Sequence, residues 1–163
     1  MRYYFIIICI NLVLIPINAQ KITRVSNFRE VVVIKGDTVI RTYILTEDAK
    51  KDPDLQRQYY WYSNGIINSN KGGYSGKLLH NGYEAFVNNN LIESGNFKKG
   101  VKTGKWLVWW ESGSIRKIST YEDGVLNGKY TVLKENGDVE LDGIYRKGKF
   151  HLSGKIRCNK GIR

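Results

Sequence analysis

Short runs of apolar and β-branched residues alternate along this chain with clusters of turn-forming residues. Within the stretch 104–127, residues 105–110 are mostly aromatic and aliphatic, 111–114 has turn composition, 115–121 is a second extended run, and 122–124 is another turn. Runs of this length and composition, bounded by such turns, are typical of β-strands. The stretch therefore predicts one β-hairpin followed by a connecting turn.

The same pattern recurs every 24 residues. Glycines mark the equivalent turns: Gly100, Gly124 and Gly148 in one set, and Gly65, Gly113 and Gly137 in the other. Four units follow from this spacing, at about 56–79, 80–103, 104–127 and 128–151, and a period of this length indicates a repeat architecture. Glycine fits turns that need a positive φ, and where it is lacking we expect Asn89 to adopt that conformation.

These units predict an all-β fold, namely an open single-layer antiparallel meander of about four 24-residue β-hairpin repeats. Because 24 is even, equivalent residues of successive units should point to the same face. We expect Trp106, Val108, Trp110, Tyr130 and Val132 on one face, and Leu107, Trp109, Tyr83, Leu133 and Trp61 on the other. Both faces are partly apolar, so a single sheet should leave aromatic surface exposed, and such a patch usually marks a binding site.

The region before the repeats, residues 20–55, is predicted to be a capping hairpin and a linker. Two β-branched runs at 29–35 and 38–45 flank Gly36-Asp37, which is a two-residue hairpin turn. Such a hairpin would cover the exposed edge of the first repeat. Residues 46–58 are charged and contain Pro53, which is typical of a linker.

The two ends of the chain differ from the rest. Residues 1–19 combine Arg2, an apolar core at 5–17 and a small residue at Ala19, which predicts a secretory signal peptide and an exported protein that is periplasmic, outer-membrane-associated or secreted. An uncleaved anchor is the alternative. Residues 157–163 read as a basic tail. Cys158 would be the only cysteine left after cleavage, so it is either free or bonded to another chain.

Two sequence patterns resemble a known family. The pattern G-K-W-x-x-W-x-E-x-G-x-I, then T-Y-x-x-G-x-x-N-G, resembles the variant class of MORN repeats, and Y-Y-W-Y-x-x-x-I with G-G-Y-S-G-K-L-L-H-N-G-Y is similar to secreted bacterial antitoxin-like MORN proteins. The resemblance covers about 56–156 and implies hairpin repeats that form a non-catalytic binding or scaffolding surface. The chain departs from the pattern at Gly82, where other units have Trp106 or Tyr130, and at the delayed Gly154.

Candidate catalytic and metal-binding residues are sparse. His80 and His151 occupy different phases of the repeat and do not have zinc-ligand spacing. The run 72–77 lacks the first glycine and the hydroxyl residue of a phosphate-binding P-loop. We therefore expect no enzymatic activity, no cofactor and no metal.

A stripe of carboxylates, Asp138, Glu140 and Asp142, should project from one face of a strand. Calcium prefers clustered oxygen ligands. Pairing with basic residues on neighbouring strands is the favoured interpretation, and the basic residues are Arg116, Lys117, Lys129 and Lys134.

Charge gives the strongest functional signal. The chain has 26 basic and 15 acidic residues and a net charge of +11, which attracts polyanions and anionic surfaces. For an exported chain this favours a protein partner or an anionic envelope component, a lipid head group or an acidic polymer, over nucleic acid. The predicted binding residues are an aromatic face and a basic rim: Trp61, Tyr62, Phe86, Trp109, Trp110, Lys98, Lys99 and Lys105. The predicted function is a non-enzymatic binding or scaffolding module; the alternative is an antitoxin-like protein that neutralises a toxin by direct binding.

Overall fold

The computed structural model describes residues 27–47 and 52–153, which form eleven strands and no helix. The strands are β1 (Phe28–Lys35), β2 (Thr38–Leu45), β3 (Gln58–Ser63), β4 (Ile66–Lys71), β5 (Lys77–Val87), β6 (Asn90–Lys98), β7 (Val101–Trp109), β8 (Ile115–Glu122), β9 (Val125–Leu133), β10 (Val139–Arg146) and β11 (Lys149–Leu152). These described residues contain no helix that could span a membrane. The predicted signal peptide, Cys158 and the basic tail lie outside them.

The sheet has the predicted antiparallel meander order. Nine strands follow one another in the order β1-β2-β5-β6-β7-β8-β9-β10-β11. The predicted N-terminal hairpin is confirmed as β1 and β2, which pair in full register across the Gly36-Asp37 turn. Its second strand pairs with β5 from Leu79 to Val87, so the hairpin extends the array at the second repeat unit and not, as predicted, at the first.

The first repeat unit departs from the continuous meander. Its hairpin, β3–β4, pairs with β5 only at Trp61↔Leu78 and Tyr62↔Lys77. The remainder of β5, from Leu79 to Val87, pairs with β2 instead. Because β5 is eleven residues long, it can bond to β3 at its start and to β2 along the rest. The first hairpin therefore lies off the path of the sheet, and the N-terminal hairpin takes the place beside β5.

Two-residue turns with positive φ at both positions join the hairpins at one edge of the array. They are Lys99-Gly100, Asp123-Gly124 and Lys147-Gly148. This is the turn geometry that matches the twist of the flanking strands. In the other set of turns, which includes Gly65, Gly113 and Gly137, the β5–β6 turn has Asn89 in place of glycine, and its φ is 64° as predicted.

The same turns bond to the preceding hairpin at intervals of one repeat. Their glycine N–H groups donate hydrogen bonds to strand carbonyls, from Gly100 to Leu79, from Gly124 to Lys102 and from Gly148 to Leu126, at 2.7, 2.9 and 2.9 Å. Each turn is therefore fixed on its neighbour, which is how a repeat array distributes its stability between adjacent units.

The predicted face assignment is correct for Trp106 and wrong for Tyr83. Trp106 and Tyr130 both pair with Ser119, so they share a face as expected. Tyr83 lies on that face too, because its ring centre is 5.5 Å from that of Trp106. The cause is a backbone irregularity that comes one residue late in β5, where Asn81, and not His80, has the positive φ that Gly104 has in β7.

Candidate binding surface

The face of the sheet that carries Trp106 is a packed core. Trp106 is only 1% exposed, and its ring contacts Phe97, Tyr83 and Tyr121 at centre-to-centre distances of 5.0, 5.5 and 6.3 Å. Gly95 lies on the adjacent strand β6, and a Cβ added to it would lie 2.2 Å from the Trp106 indole. The glycine therefore provides the room in which the tryptophan lies against the sheet.

The off-path hairpin β3–β4 covers this aromatic face. Tyr60, Tyr62 and Ile67 pack against the buried cluster of Ile44, Leu79, Phe97 and Trp106. The hairpin is held by main-chain bonding as well, since the Tyr60 N–H donates to the Gly100 carbonyl at 2.7 Å. A face that a single sheet would leave open is thus largely closed by the chain's own first repeat.

A charged pair is enclosed in this core. The Lys102 Nζ atom lies 2.9 Å from a Glu93 carboxylate oxygen and 3.6 Å from the centre of the Trp106 ring. The rings of Tyr60 and Tyr121 each lie 5.7 Å from the same nitrogen. Burial lowers the pKa of Lys102, and the Glu93 carboxylate works in the opposite direction. The ammonium therefore occupies a cage of aromatic rings closed by one carboxylate.

A cavity of about 230 Å³ adjoins this pair between the hairpin and the sheet. Ile67, Asn68 and Ser69 of the hairpin line one side. Tyr83 and Phe97 of the sheet line the other. Burial, followed by the charge of Glu93, raises the pKa of Tyr83 above its ordinary value. At neutral pH the cavity thus combines neutral phenols with one enclosed ion pair.

A second cavity, which we call the turn-edge cleft, opens where the repeat turns meet the linker and has a volume of about 200 Å³. Its apolar lining consists of Tyr59, Tyr74, Leu78 and Val101. Three of these belong to a second buried cluster, completed by Leu45. The rings of Tyr59 and Tyr74 lie 5.5 Å apart, so the cleft has a partly aromatic floor.

Charged residues surround the turn-edge cleft. Lys98 ends β6, Lys99 lies in the β6–β7 turn, and Asp123 lies in the next repeat turn. On the linker side Arg57 pairs with Asp54 at 3.0 Å, and Asp52 also lines the cleft. The Asp54 N–H donates to the Tyr59 hydroxyl at 3.0 Å, which holds the linker against the floor.

His80 positions one of these lysines. Its Nδ1 atom accepts a hydrogen bond from the Lys99 N–H at 3.2 Å. In the last repeat the Asn127 side-chain oxygen accepts in the same way from the Lys147 N–H at 3.1 Å. Burial, and then the charges of Lys99 and Lys98, lower the pKa of His80. The histidine is therefore a cap for the turn.

Only two of the eight predicted binding residues, Lys98 and Lys99, line the turn-edge cleft. Trp61 packs against the cluster beneath the cleft, whereas its neighbour Tyr62 packs against the other cluster. Adjacent strand residues point to opposite sides. Lys105 is exposed on β7 and pairs with Thr120, outside the cleft.

The remaining predicted aromatic residues make their own local contacts. Phe86 lies under Arg41 at 5.4 Å. Trp110 lies under Arg116 at 4.6 Å and donates its indole N–H to the Leu133 carbonyl at 3.2 Å. Trp109 is half-buried on β7. All five predicted aromatics are half-buried, and the exposed large apolar side chains are aliphatic. The exposed apolar surface is therefore aliphatic and not, as expected, aromatic.

Asp138, Glu140 and Asp142 do not form the regular carboxylate stripe that was predicted. Asp138 lies in the turn before β10, and the pairing of β10 with β9 is irregular between Val139 and Leu141, on either side of Glu140. Asp142 accepts a hydrogen bond from the Thr131 hydroxyl at 2.7 Å. The favoured pairing of this residue with a basic side chain is thus replaced by a bond to a threonine. Within 27–47 and 52–153 no group of three or more potential ligands could hold a metal ion.

Several residues of these sites were missed from the sequence, above all Lys102 and Glu93. A signal for Lys102 is present in the repeat itself. Counting by 24 residues, its equivalents are Leu78, Leu126 and Phe150, so a lysine occupies a position that is otherwise apolar. Arg57 and Tyr74 carry no such signal, since they belong to the first unit, whose hairpin lies off the path of the sheet.

Comparison with known proteins gives no match to any family model, curated protein or solved structure. The resemblance to MORN repeats therefore remains an expectation based on the quoted residues.

Proposed function

We propose that this protein is a non-catalytic, exported binding module that holds a protein or an anionic envelope component at the turn-edge cleft. The observation that carries the proposal is the placement of Lys98 and Lys99 beside the apolar floor formed by Tyr59 and Tyr74. An apolar centre within a charged rim is the usual composition of a specific interface.

The size of the cleft favours a macromolecular partner. At about 200 Å³ it is smaller than the ~300–1,000 Å³ typical of sites that enclose a whole small molecule. It suits one or two side chains, or one head group, of something larger. The partner's remaining contacts would then fall on the surrounding turns and linker.

Lys98 and Lys99 favour an anionic group on that partner. Arg57 is already paired with Asp54. The lining also contains Asp52 and Asp123, so the lysine side of the cleft is cationic, whereas the rim as a whole is balanced in charge. A carboxylate or phosphate that approaches from the lysine side would be attracted without displacing the Arg57–Asp54 pair.

The test is a pull-down from the native cell envelope with the wild-type protein and two matched double variants. Lys98→Glu with Lys99→Glu reverses the charge at the cleft. Arg146→Glu with Lys147→Glu makes the same change in the equivalent turn of the last repeat, which does not line the cleft. We expect capture to be lost only in the first variant.

The salt dependence of capture identifies the kind of partner. Capture of lipids or acidic polymers should fall steeply as salt rises, because exposed charges are screened beyond about 8 Å at physiological ionic strength. A protein partner seated on the tyrosine floor should remain bound, and if it is a toxin, inhibition of that toxin would establish the antitoxin-like alternative. Equal capture by both double variants would contradict the cleft as the binding site.

A further inference from the structure

Strand β1 forms an outer edge of the described sheet. Two other strands, β4 and β11, also have a single partner among the described residues. Strand β11 has only four residues, and β4 ends in the polar sequence Asn-Ser-Asn-Lys. Strand β1 is eight residues long and contains Val31, Val32, Val33 and Ile34 in succession. It is therefore the long apolar edge, of the kind that pairs readily with another strand.

The hydrogen-bonding groups of β1 that face outward can be assigned from its register. Thr46 N–H donates to the Asn27 carbonyl at 3.0 Å, which makes these two residues a bonded pair. Bonded and non-bonded pairs alternate along an antiparallel ladder. Val31 and Val33 therefore bond to β2, whereas Val32 and Ile34 direct their N–H and C=O groups to the outside.

The side chains at these outward-bonding positions are exposed. Val32 is 52% exposed and Ile34 is 71% exposed. Their neighbour Val31 points to the other face and packs against the aromatic core. The same two residues thus offer free main-chain groups and apolar side chains, which are the two components of recognition by strand addition.

We propose that the outer edge of β1 is a strand-addition site for an extended, acidic segment of a partner protein. Main-chain bonds to Val32 and Ile34 supply affinity, and apolar residues at alternate positions of the partner contact the same two side chains. Charge argues for an acidic partner over a second copy, because each copy carries +11. On β1 itself the exposed Arg29 and Lys35 outnumber Glu30.

This site is distinct from the turn-edge cleft, so either could fail without the other. The Lys98→Glu, Lys99→Glu variant should keep strand addition intact, because neither residue lies on β1. Loss of envelope capture in that variant with unchanged binding at β1 would separate the two sites.

The probe is a labelled peptide in which Val and Thr alternate between glutamates at both ends. Fluorescence anisotropy should show binding to the wild-type protein and binding weaker by about tenfold or more to Val32→Pro, which lacks an outward N–H. Proline is tolerated where the N–H of an edge strand faces outward, so the fold should persist. Ile34→Lys provides a second test that retains every main-chain group.

A matched control is Ile66→Lys, which makes the same substitution at a residue of β4 that is 59% exposed. It should bind the peptide like the wild type. Equal weakening by Ile66→Lys and Ile34→Lys would overturn the proposal, as would a peptide with lysines at both ends binding as tightly as the acidic one.

Amide hydrogen exchange checks that the edge is available. In the free protein the amides of Val32 and Ile34 should exchange much faster than those of Val31 and Val33, and the peptide should slow them. Protection of Val32 and Ile34 without peptide would show that the chain itself or a second copy already occupies the edge, and the proposal would be wrong.

Discussion

The Lys102 ammonium lies 2.9 Å from the Glu93 carboxylate and 3.6 Å from the centre of the buried Trp106 ring. In the strand register Lys102 lies opposite Phe97. At the equivalent positions of the next two repeats, Leu126 lies opposite Tyr121 and Phe150 lies opposite Tyr145. An ion pair thus replaces an apolar contact in one repeat of the array. The Lys102 and Glu93 side chains are 17% and 30% exposed, so the two charges must offset a partial loss of hydration through each other and through the aromatic rings.

Glu93→Gln should destabilise the protein by about 3 kcal/mol, because it leaves the Lys102 charge enclosed without its carboxylate. The double variant Glu93→Leu, Lys102→Met should cost much less than the single one, since it removes both charges and keeps the side-chain volume. Urea denaturation of the wild type and these two variants measures the difference. If the double variant were as unstable as Glu93→Gln, the ion pair would be a net source of stability.

Gly95→Ala should destabilise the protein by about 1–3 kcal/mol, the usual cost of overpacking a core. An added Cβ at this position would lie 2.2 Å from Trp106, whose ring is also in contact with the Lys102 ammonium. Gly73→Ala is the control, because a Cβ there meets no atom within 4 Å and Gly73 has no positive φ. Thermal melts that show equal losses for both variants would contradict the packing explanation.

The periodic part of the fold could be predicted from the sequence, because turn glycines and alternating strands are local signals. The turn of Lys99-Gly100, its equivalents one and two repeats later and the N-terminal hairpin all lie where the pattern places them. The 24-residue period does not predict the position of the first hairpin, β3–β4. Strand β5 can bond to either β2 or β3, and the choice depends on burial of the aromatic face by Tyr60 and Tyr62.

The candidate site was predictable only in part, for the same reason. Lys98 and Lys99 were identified from their charge at a repeated turn. Their cleft also needs Arg57 and Tyr74 of the first unit, whose position off the sheet path the period does not predict. A one-residue slip at Asn81 moved Tyr83 to the face opposite the predicted one. Slips of this kind invert a face assignment because side chains alternate with a period of two.

In mild acid, His80→Asn should lose less stability than the wild type. The pKa of His80 is lowered in the folded state, so the unfolded state binds the proton more readily. The stability that neutral His80 contributes is therefore complete above its ordinary pKa of about 6.5 and is lost as pH falls through the lowered folded value. Denaturation midpoints measured from pH 7.5 down to pH 5 follow this loss.

Asparagine is the informative substitution because Asn127 already caps the equivalent turn in the last repeat. The variant should keep the acceptor for the Lys99 N–H, worth about 0.5–1.5 kcal/mol, while having no proton to gain. His80→Ala should be less stable at every pH. An unchanged pH dependence in His80→Asn would show that another group causes the acid sensitivity.

Tyr83→Phe should raise the pH at which the protein unfolds in alkali. Burial raises the pKa of Tyr83 in the folded state, with Glu93 adding to the effect, so the unfolded state loses its proton first. The stability from the neutral phenol is complete below the ordinary pKa of about 10 and is lost as pH rises toward the folded value. The pKa values of Tyr60 and Tyr121 are raised as well, whereas the lowered pKa of Lys102 has the opposite effect on alkaline stability.

Phenylalanine at position 83 keeps the ring contacts with Phe97 and Trp106. Tyr145→Phe is the control, because it makes the same change in the last repeat, outside this cluster. Circular dichroism recorded from pH 9 to pH 12 should show a higher midpoint for Tyr83→Phe and a smaller change for Tyr145→Phe. Equal midpoints for wild type and Tyr83→Phe would mean that ionisation of Tyr83 does not limit alkaline stability.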